Sequence, residues 1–375
     1  MKVLHLTKYF PPTYGGIENQ SKSICDYLCK KKINVSVLTF GFKTEIKLKK
    51  YKIFSVKPLF IFFSQPISLL YFFIAKKVIQ QTDIIHFHYP NIMGLFVCFL
   101  FSRQKKLIIH WHSNIVRQKY LNFLFKPIEK ILLNRSDKII LTSINYSKNF
   151  EFYNLYKKKI SIINCSSPDL SKEFNKSLKI KKQFRKLKNQ NLNCKIIYSM
   201  GRLVEYKGFK YLIRASKLLD DNVKIVIAGS GVQLNNLKNE IKLNNLENKV
   251  FLLGKISHSN HLCYLKRCDI FCLPSISSNE AFGIALIEAM TFSKPLITTK
   301  IKNSGINFVN VNQHTGYKVP IKDFKSLANA IFRCLNNKKQ LHKMSENSKK
   351  RYLKYFTTEI MNKKFYNLYN KLNEI

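Results

Sequence analysis

The sequence predicts an α/β protein of two doubly wound domains, each with a parallel sheet covered by helices. Apolar segments of strand length alternate with longer segments of helical pattern through both halves of the chain. Glycine-containing loops follow several of the predicted strands, as they do at the ligand sites of such sheets. A length of 375 residues is typical of two domains. We therefore predict domains at 1–175 and 176–356, with a last helix at 357–375.

The first half of the chain alternates regularly between strands and helices. Its first strand, Lys2–Thr7, leads through a loop with prolines and glycines to a helix at Ile17–Lys31. The later strands are predicted at Val35–Phe40, Asp83–Phe87, Lys106–His110, Lys138–Thr142 and Ile160–Ile163, and the helices at Ile67–Ile79, Ile92–Phe101 and Tyr120–Leu133. Because ligands of parallel sheets bind beyond the carboxyl ends of the strands, residues that directly follow strands are the candidate site residues.

The second half follows a polar, lysine-rich connection over residues 171–190 and shows the same alternation. Its strands are predicted at Cys194–Met200, Val223–Ala228, Val250–Leu253, Ile270–Pro274, Pro295–Thr298 and Gly316–Val319. Helices are predicted from Gly208 to Leu219, over Asn260–Lys266 and from Gly283 onward. Both halves therefore predict the same type of sheet.

The net charge is the unusual feature of the composition. The chain has 65 Lys and Arg against 21 Asp and Glu, which gives a formal net charge of +44. Such a charge favours anionic partners, namely nucleic acid, anionic lipid or phosphorylated substrates. The lysines accompany many asparagines and isoleucines, so a compositional bias of the genome is the alternative explanation. The sequence has no zinc-finger, RNA-recognition or helix-turn-helix signature, so we expect no nucleic acid partner.

The sequence also indicates where the protein is located. The nine cysteines are scattered and odd in number, which favours a reducing compartment over a disulfide framework. Met1 leads directly into the first strand without the pattern of a cleavable leader. The apolar stretch Leu59–Ala75 is interrupted by polar residues and a proline, which disfavours a transmembrane helix. We expect a cytoplasmic protein that attaches peripherally to the anionic inner face of the cell membrane.

Two predicted strand ends carry pairs of histidines. His86 and His88 share one face of one strand, and His110 and His112 share one face at the end of the next. Three interpretations remain: the four imidazoles bind zinc, they are packed and hydrogen-bonded, or one of them acts at an active site. No carboxylate or cysteine lies close in sequence to complete a metal site, so zinc is the least favoured of the three. We therefore predict no metal.

A glycine and two glutamates mark the start of the helix that follows the strand Ile270–Pro274. Glu280 precedes the predicted helix and Glu288 lies in its second turn, so that both can reach one bound molecule. Glu280 could instead favour the helix dipole and Glu288 could be solvated, but the apolar residues around Glu288 mean that its carboxylate needs a partner. Backbone N–H groups at the helix start form a natural seat for a phosphate. These groups belong to Phe282, Gly283 and Ile284.

A second candidate phosphate site follows the first strand of the second half. Arg202 and Lys207 stand in a loop bracketed by Gly201 and Gly208. Arginine offers a planar two-pronged donor and lysine a mobile point charge, a combination that suits a diphosphate. Solvated loop charges are the alternative for either residue alone. Gly229 opens a Gly-Ser-Gly loop after the next strand, where the backbone can approach a nucleotide.

The Glu-x7-Glu spacing, with Phe-Gly after the first glutamate, resembles the retaining glycosyltransferases of family 4. These enzymes have the GT-B fold, in which two doubly wound domains face each other across a cleft. The Gly-Arg-x4-Lys-Gly loop is similar to the family's donor-phosphate motif. The resemblance implies that Arg202 and Lys207 hold the donor diphosphate and that Gly229 lies at the nucleotide. It also implies that Glu280 binds the sugar hydroxyls and Glu288 the ribose.

The stretch His-Trp-His-Ser-Asn-Ile-Val-Arg-Gln-Lys, which begins at His110, closely resembles a subgroup of family 4. Many members of this subgroup are mannosyltransferases of surface polysaccharide synthesis. The resemblance implies that His112 lies beside the transferred sugar, and it favours GDP-mannose as the donor. The subgroup commonly has Asp where this chain has Asn114, so the role of that carboxylate is not carried over.

The resemblance extends to the acceptor side and to the last helix. The run at 15–18 matches the family's Gly-Gly-x-Glu, which faces the donor diphosphate and the acceptor. It implies that Gly16 contacts the donor and Glu18 the acceptor. Arg117 and Lys119 are candidate contacts to a phosphate of the acceptor, with solvated charges as the alternative. The family's final helix, here within 357–375, crosses back onto the first domain.

Together the motifs imply a hexosyltransferase with a nucleotide-sugar donor and a lipid-linked or polysaccharide acceptor, such as O-antigen, lipopolysaccharide or capsule. Transfer is expected to proceed with retention and without a metal or another cofactor. No Asp-x-Asp pair stands at a predicted strand end, and basic residues supply the positive charge. The alternatives are a family member that uses a UDP-sugar, a sugar-nucleotide epimerase of the same fold, and a non-catalytic binding protein.

Overall fold

The computed structural model describes residues 1–13, 15–41, 45–47, 50–62, 65–113, 119–182 and 194–374. The chain forms two compact units. Unit 1 comprises Met1–Cys165 together with Thr358–Ile375, and unit 2 comprises Ser166–Thr357. Each unit has a mainly parallel sheet whose strands are connected by helices, which confirms the predicted fold class.

Unit 1 is built on a sheet of eight described strands and has a short hairpin beside it. Its strands are β1 (Lys2–Tyr9), β2 (Asn34–Phe40), β3 (Glu45–Lys47), β4 (Lys52–Val56), β5 (Phe60–Phe62), β6 (Gln65–Ile67), β7 (Ile84–Tyr89), β8 (Lys106–Trp111), β9 (Lys138–Leu141) and β10 (Ile160–Ile162). Its helices before unit 2 are α1 (Gly16–Lys30), α2 (Leu69–Gln80), α3 (Ile92–Phe101), α4 (Lys119–Arg135), α5 (Ile144–Ser147) and α6 (Tyr153–Tyr156).

The sheet of unit 1 has the order β10-β9-β8-β7-β1-β2-β4-β3, and only β3 runs antiparallel to its neighbour. The strand order reverses between β1 and β7, because β2 and β4 continue on one side and β8 to β10 on the other. Every residue of β7 is buried. Ligands of parallel sheets bind at such a switch point. The glycine pair follows β1, and His112 directly follows β8.

Unit 2 contains a second sheet, which has six described strands. They are β11 (Lys195–Met200), β12 (Val223–Ala228), β13 (Val250–Leu252), β14 (Ile270–Leu273), β15 (Leu296–Thr299) and β16 (Gly316–Val319). Its helices are α7 (Leu170–Lys176), α8 (Phe209–Ser216), α9 (Leu234–Leu243), α10 (His258–Arg267), α11 (Ile284–Thr291), α12 (Ile306–Val309), α13 (Phe324–Asn336) and α14 (Lys338–Tyr355).

The six strands of unit 2 are all parallel and have the order β13-β12-β11-β14-β15-β16. The order reverses between β11 and β14, so these two strands form the switch point of unit 2. The loop with Arg202 and Lys207 follows β11, and the loop with Glu280 follows β14. Both predicted phosphate sites therefore lie at the edge where such sheets bind ligands.

The last helix, α15 (Thr358–Asn373), belongs to unit 1. Its Phe365 and Tyr369 are fully buried in the core that α1 and the central strands of this unit share. Helix α15 thus closes the first unit, although the whole of unit 2 separates it in sequence from the rest of that unit.

The two units divide after Cys165, whereas the boundary was predicted between residues 175 and 176. The intervening segment is bonded to unit 2. The N–H of Ser167 donates to the carbonyl of Phe356 at 3.0 Å, and Asp169 forms an ion pair with Lys349 at 3.0 Å. The polar composition of residues 171–190 indicated a connection between domains there. These contacts instead assign the residues just before that segment to unit 2.

Strands β3 to β6 were not predicted. The structure divides the interrupted apolar stretch between residues 59 and 75 into the β5–β6 hairpin and the first half of α2. The helix predicted from Ile67 begins at Leu69, because Ile67 pairs with Phe60 in the hairpin. Among the described residues, no helix is both long and apolar enough to cross a membrane.

Candidate active site

The loop between β14 and α11 holds Glu280 in a defined position. Ser304 Oγ donates a hydrogen bond to the carbonyl of Glu280 at 2.5 Å, and the N–H of Gly305 donates to the carbonyl of Ala281 at 2.8 Å. Ser275 Oγ donates to the carboxylate of Glu280 at 3.2 Å. Both the backbone and the side chain of Glu280 are therefore fixed by neighbouring loops.

Lys207 and Glu280 form an ion pair across the switch point of unit 2. Each side chain is only 11% exposed. The two loops that carry them are also joined through the backbone, because the N–H of Ile276 donates to the carbonyl of Tyr206 at 2.8 Å. Removing one partner of a buried pair leaves an uncompensated charge and costs about 3–5 kcal/mol. Both residues were predicted as site residues from the sequence, but their pairing was not.

Two glycines allow the loops to approach each other. Gly208 has a φ of +66°, and a Cβ on it would clash with the carbonyl oxygen of Pro274 at the end of β14. A Cβ on Gly201 would lie 3.1 Å from Cε of Lys207, because the lysine side chain folds over this glycine. The two glycines that bracket the motif therefore allow the side chain of Lys207 to pack in this position.

The structure separates the roles predicted for Arg202 and Lys207. Arg202 is exposed, and its Nη2 lies 3.4 Å from the hydroxyl of Tyr206. Within the described part of the chain, Arg202 has no carboxylate partner, whereas Glu280 compensates the charge of Lys207. Arg202 is therefore the one of the two whose charge is available to an anion without displacing an ion pair.

Gly229 and Gly231 hold two loops of unit 2 together. They have φ values of +145° and +158°, and a Cβ on either would clash with a carbonyl oxygen, that of Gly201 or that of Leu203. The N–H of Leu203 also donates to the carbonyl of Ser230 at 2.9 Å. Close packing of these loops thus explains both glycines. Contact of Gly229 with a nucleotide stays a prediction.

The start of α11 is shaped by Gly283, which has a φ of +82° and follows the buried Phe282. A Cβ on Gly283 would lie 2.9 Å from Cδ1 of Leu286, so a side chain there would be strained and crowded. No side chain among the described residues caps this helix start. Because the first N–H groups of a helix have no partner within it, those of Phe282, Gly283 and Ile284 remain a candidate phosphate seat.

Glu288 has the partner that its apolar setting requires. Its Oε2 lies 3.3 Å from Nε2 of His261, and Nδ1 of His261 lies 2.9 Å from the hydroxyl of Tyr198. A carboxylate only accepts hydrogen bonds, so Nε2 of His261 carries a proton and donates. Burial raises the pKa of Tyr198 well above its ordinary value, so its hydroxyl stays protonated. No pattern in the sequence links His261 to Glu288, so this contact was not predicted.

Five imidazoles form a cluster on one face of the unit 1 sheet. Parallel register sets His5 opposite His86 and His88 opposite His110. The cluster consists of His5, His86, His88, His110 and His112. Their ring nitrogens contact each other at 3.0 Å for His5–His88 and His88–His112 and at 3.3 Å for His86–His110. Tyr369 of α15 contacts His86 and lies 3.4 Å from Nε2 of His5.

Burial keeps this histidine cluster neutral. It lowers the pKa of His5 and of His112 to about 3. It also lowers the pKa of His86, His88 and His110 well below the ordinary value, with a further contribution from neighbouring imidazoles. The structure therefore shows all five as hydrogen-bonded histidines. A catalytic role for His112 stays a prediction. His5, which was not predicted from the sequence, belongs to the same cluster.

The cluster includes two groups of three histidines whose nitrogens lie within 4.8 Å of one another, a spacing that could hold a metal ion. The ring nitrogens of two hydrogen-bonded pairs lie closer together than two nitrogen ligands of one zinc ion do. Nitrogens bound to one tetrahedral zinc at about 2.0–2.1 Å stand roughly 3.3 Å apart, whereas two of the pairs here are at 3.0 Å. The observed distances fit N–H···N hydrogen bonds.

The residues predicted for the acceptor side are described only in part. Gly16 is the first residue of α1, and a Cβ on the preceding Gly15 would clash with the carboxylate of Glu18, which folds back over the helix start. Arg117 lies outside the described residues. Lys119 is the first residue of α4, and its side chain is outside the described part of the chain.

Comparison with known families matches almost the whole chain. A family model described as Glycosyltransferase Family 4 matches residues 14–166, and one described as Glycosyl transferases group 1 matches residues 179–351. The chain is 28% identical to O-antigen chain mannosyltransferase C of Escherichia coli, over 100% of this chain and 99% of that protein. It is 26% identical to D-rhamnosyltransferase WbpZ of Pseudomonas aeruginosa, over 95% of this chain and 92% of that protein.

Solved structures show the same fold. The crystal structure of Anabaena Alr3699/HepE in complex with UDP aligns with a TM-score of 0.80 at 18% identity, over 99% of this chain and 100% of that one. WaaG, a glycosyltransferase involved in lipopolysaccharide biosynthesis, aligns with a TM-score of 0.70 at 15% identity, over 97% of this chain and 98% of that one.

Proposed function

Since the chain belongs to the family 4 glycosyltransferases and has the GT-B fold, we propose that it transfers a hexose from a nucleotide sugar with retention. The proposed donor is GDP-mannose, and the proposed acceptor is a lipid-linked or surface polysaccharide such as O-antigen, lipopolysaccharide or capsule. The name of one relative, a mannosyltransferase of O-antigen chains, supports a role in polysaccharide synthesis.

The Lys207–Glu280 pair is the observation that carries this proposal. The pair places a cation and a carboxylate side by side at the switch point of unit 2, next to the uncapped start of α11. A nucleotide sugar needs positive charge and N–H donors for its phosphates and acceptors for its sugar hydroxyls. A binding module for phosphate alone would have no use for a carboxylate beside the phosphate, since the two would repel each other.

The proposed reaction exchanges one bond of the transferred sugar for another. The bond between the sugar and the phosphate oxygen breaks, and a bond from the acceptor oxygen to the same sugar carbon forms on the same face. The departing phosphate oxygen takes the proton of the acceptor hydroxyl. Arg202 and Lys207 offset the charge that develops on the phosphate. Glu280 accepts hydrogen bonds from the sugar hydroxyls, and Glu288 accepts them from the ribose.

Three further residues complete the proposal. His112 hydrogen-bonds the transferred sugar, Gly16 lies at the donor and Glu18 at the acceptor. Arg202, Lys207 and the start of α11 supply the positive electrostatic potential that a metal ion supplies in other transferases, so no metal is needed for transfer.

A panel of nucleotide sugars tests the proposal. Purified protein is first screened by thermal shift and then assayed for transfer to a lipid-linked glycan. GDP-mannose should raise the midpoint of thermal unfolding most and should be consumed only when the acceptor is present. Stabilisation by a UDP-sugar instead would correct the donor. Stabilisation without turnover would identify a binding protein, and donor conversion without acceptor an epimerase.

We also propose that unit 1 docks on the anionic inner face of the cell membrane. The β5–β6 hairpin and the first turns of α2 expose a set of large apolar side chains, with Phe73 74% and Leu69 67% exposed. This apolar patch consists of Leu59, Phe60, Ile61, Phe62, Leu69, Leu70 and Phe73. Apolar side chains can enter the boundary of the acyl chains only if neighbouring groups suit the headgroups.

Charge next to the apolar patch selects an anionic bilayer as its partner. Lys57 precedes the hairpin and Lys76 and Lys77 continue the exposed face of α2, and all three are exposed. Each basic residue close to an anionic surface adds about 1 kcal/mol to the free energy of membrane binding.

Flotation with anionic vesicles should therefore fall as salt rises. Phe60→Ser with Phe73→Ser should abolish flotation, and Leu243→Ser, at an exposed leucine of unit 2, should not. Equal binding to neutral vesicles at every salt concentration would refute this surface.

A further inference from the structure

We propose that Ser21 and His88 hold His112 in a single tautomer, with the proton on Nδ1 and a bare nitrogen at Nε2. His112 would then present an N–H donor to its ligand. Ser21 and His88 are positioning residues in this proposal, because they act through His112. The catalytic meaning of the tautomer rests on the proposed function, whereas the tautomer itself does not.

Ser21 fixes the direction of its hydrogen bond with His88. Its hydroxyl donates to the carbonyl of Ile17 at 2.9 Å, and a carbonyl only accepts. The single proton of the hydroxyl is therefore committed. Nδ1 of His88 lies 3.3 Å from the same oxygen. Because Ser21 can only accept in this second contact, His88 carries its proton on Nδ1.

His88 passes this direction on to His112. Nδ1 of His88 also lies 3.0 Å from Nε2 of His112, so its N–H is shared between Ser21 and His112. Nε2 of His112 must then be the acceptor. The ring is neutral at ordinary pH, since burial lowers the pKa of His112 to about 3. A neutral ring with a bare Nε2 has its proton on Nδ1. Among the described residues, no hydrogen bond engages that Nδ1–H.

The rest of the histidine cluster agrees with this assignment. Nε2 of His88 accepts from Nδ1–H of His5, and Nε2 of His5 accepts from the hydroxyl of Tyr369. Tyr369 accepts from Nδ1–H of His86, whose Nε2 accepts from Nδ1–H of His110. The series ends on Nε2 of His110, which is buried without a partner. There it leaves a bare lone pair, which is less costly to bury than an orphaned N–H.

The tautomer decides what His112 can do. With Nδ1 protonated and the ring neutral, His112 donates a hydrogen bond to an oxygen of the sugar or to charge that develops on it. It cannot take a proton from the acceptor through the same nitrogen. This agrees with a reaction in which the departing phosphate takes that proton.

Nitrogen NMR of protein with 15N-labelled histidines reads the tautomer directly and needs no substrate. The His112 signals are those that disappear in His112→Ala. In the unaltered protein we expect the pattern of an Nδ1–H imidazole for His112. His88→Asn places an amide N–H close to the position of Nδ1 and should keep that pattern. His88→Asp places an acceptor there and should move the proton of His112 to Nε2. An Nε2–H pattern in the unaltered protein would overturn the proposal.

Ser21→Ala covers the case in which His88→Asp does not fold. It removes the acceptor that fixes His88 while leaving the His88–His112 contact in place, so the His112 signals should shift toward an average of both tautomers. Unchanged signals would contradict the role of Ser21. His342→Asn is the matched control, because this histidine is exposed on α14. Apart from the loss of its own signals, it should change neither the other histidine signals nor the rate.

Transfer assays of the same variants give the second readout. His88→Asp should lower the transfer rate by about 10²–10³, the effect of removing one preorganised donor, without a change in the KM for the donor. His88→Asn should retain most of the rate. Equal losses in both variants would contradict positioning through the tautomer. If the unaltered protein transfers no hexose to any acceptor, the proposed function fails, and the NMR spectra still decide the tautomer.

Discussion

The histidine cluster of unit 1 lies on one face of a parallel sheet and the Lys207–Glu280 pair of unit 2 lies at the strand ends of another, and the two bury polar groups in opposite ways. The five imidazoles are kept neutral by burial and satisfy each other with hydrogen bonds. Lys207 and Glu280 are an ion pair, and each compensates the charge of the other. A buried polar group needs a hydrogen bond, and a buried charge needs a countercharge.

This difference determines what each region can contribute to a reaction. Neutral hydrogen bonds have a fixed donor and a fixed acceptor, so the cluster can offer one N–H in a defined direction. The ion pair instead offers electrostatic potential. Its two members can exchange their contact with each other for contacts with a ligand. We therefore expect unit 1 to supply orientation and unit 2 to supply charge.

The largest expected effect tests the contribution of unit 1. His112→Ala should lower the rate of transfer by about 10²–10³, as does loss of one preorganised donor. Nucleotide affinity, measured by calorimetry, should change little, since the contacts to the ribose and most of those to the diphosphate are assigned to unit 2. His110→Ala should act mainly through folding, because this histidine is fully enclosed within the cluster. Transfer at the unmutated rate by His112→Ala would show that the histidine is structural.

Glu280→Gln tests the contribution of the ion pair. Glutamine keeps the shape but removes the countercharge of Lys207, so turnover should fall by about 10², while nucleotide binding should weaken only modestly. Glu240→Gln is the matched control, because Glu240 pairs with Arg214 at 2.7 Å on the surface of the same unit, where Arg214 is 43% exposed. Such surface pairs contribute about 0–1 kcal/mol. Similar losses in the two variants would mean that the effect is general destabilisation.

Glu288→Ala should mainly affect binding. A hydrogen bond to a charged group contributes about 1.5–3 kcal/mol, so nucleotide affinity should fall by about 10- to 100-fold. A ribose contact is present in both the ground and the transition state, so the turnover of saturated enzyme should change less. His261→Ala is a useful companion, because it removes the partner of Glu288 without removing the carboxylate. If Glu280→Gln instead affected binding and Glu288→Ala turnover, the two roles would be exchanged.

Acid should destabilise unit 1 through its neutral histidines. Burial lowers the pKa of His5 and of His112 from 6.5 to about 3. Between these values the unfolded chain binds protons that the folded chain does not, so the free energy of unfolding falls as pH falls below 6.5. The slope is at most about 1.4 kcal/mol per pH unit for each histidine.

Trp111, the single tryptophan of the chain, reports this effect. It is buried beside His110 and His112 at the end of β8, so its fluorescence follows the unfolding of unit 1. The urea midpoint should fall between pH 7 and pH 5. His110→Leu should reduce the slope, whereas His342→Leu, at an exposed position, should not. A midpoint independent of pH would show that the histidines do not remain neutral.

Sequence alone predicted both parallel sheets, because the alternation of apolar strands with helices is a local pattern. It also identified Lys207, Glu280 and the strand-end histidines, since their motifs are short and contiguous. It did not reveal that Lys207 pairs with Glu280 or that His5 joins the histidine cluster. These contacts join strands that are distant in sequence, and they depend on the register of the sheets. A motif indicates a ligand for a side chain but not its partner in the free protein.

Chelation has the smallest expected effect and is the strictest test of the comparison. Transfer should survive EDTA, because Arg202, Lys207 and the start of α11 are proposed to supply the positive charge. Among the described residues, two groups of three histidines are sites where a metal could enter unit 1. Binding there would require either the His5–His88 or the His88–His112 hydrogen bond to open, since each separation of 3.0 Å is shorter than the roughly 3.3 Å between ligands of tetrahedral zinc. Dialysis against EDTA should therefore leave both the rate and the histidine NMR signals unchanged. Complete loss of transfer, restored by manganese, would end the metal-free mechanism. If added zinc shifted the His88 and His112 signals and also restored the rate, the neutral cluster would be a metal site, and both regions would work through charge.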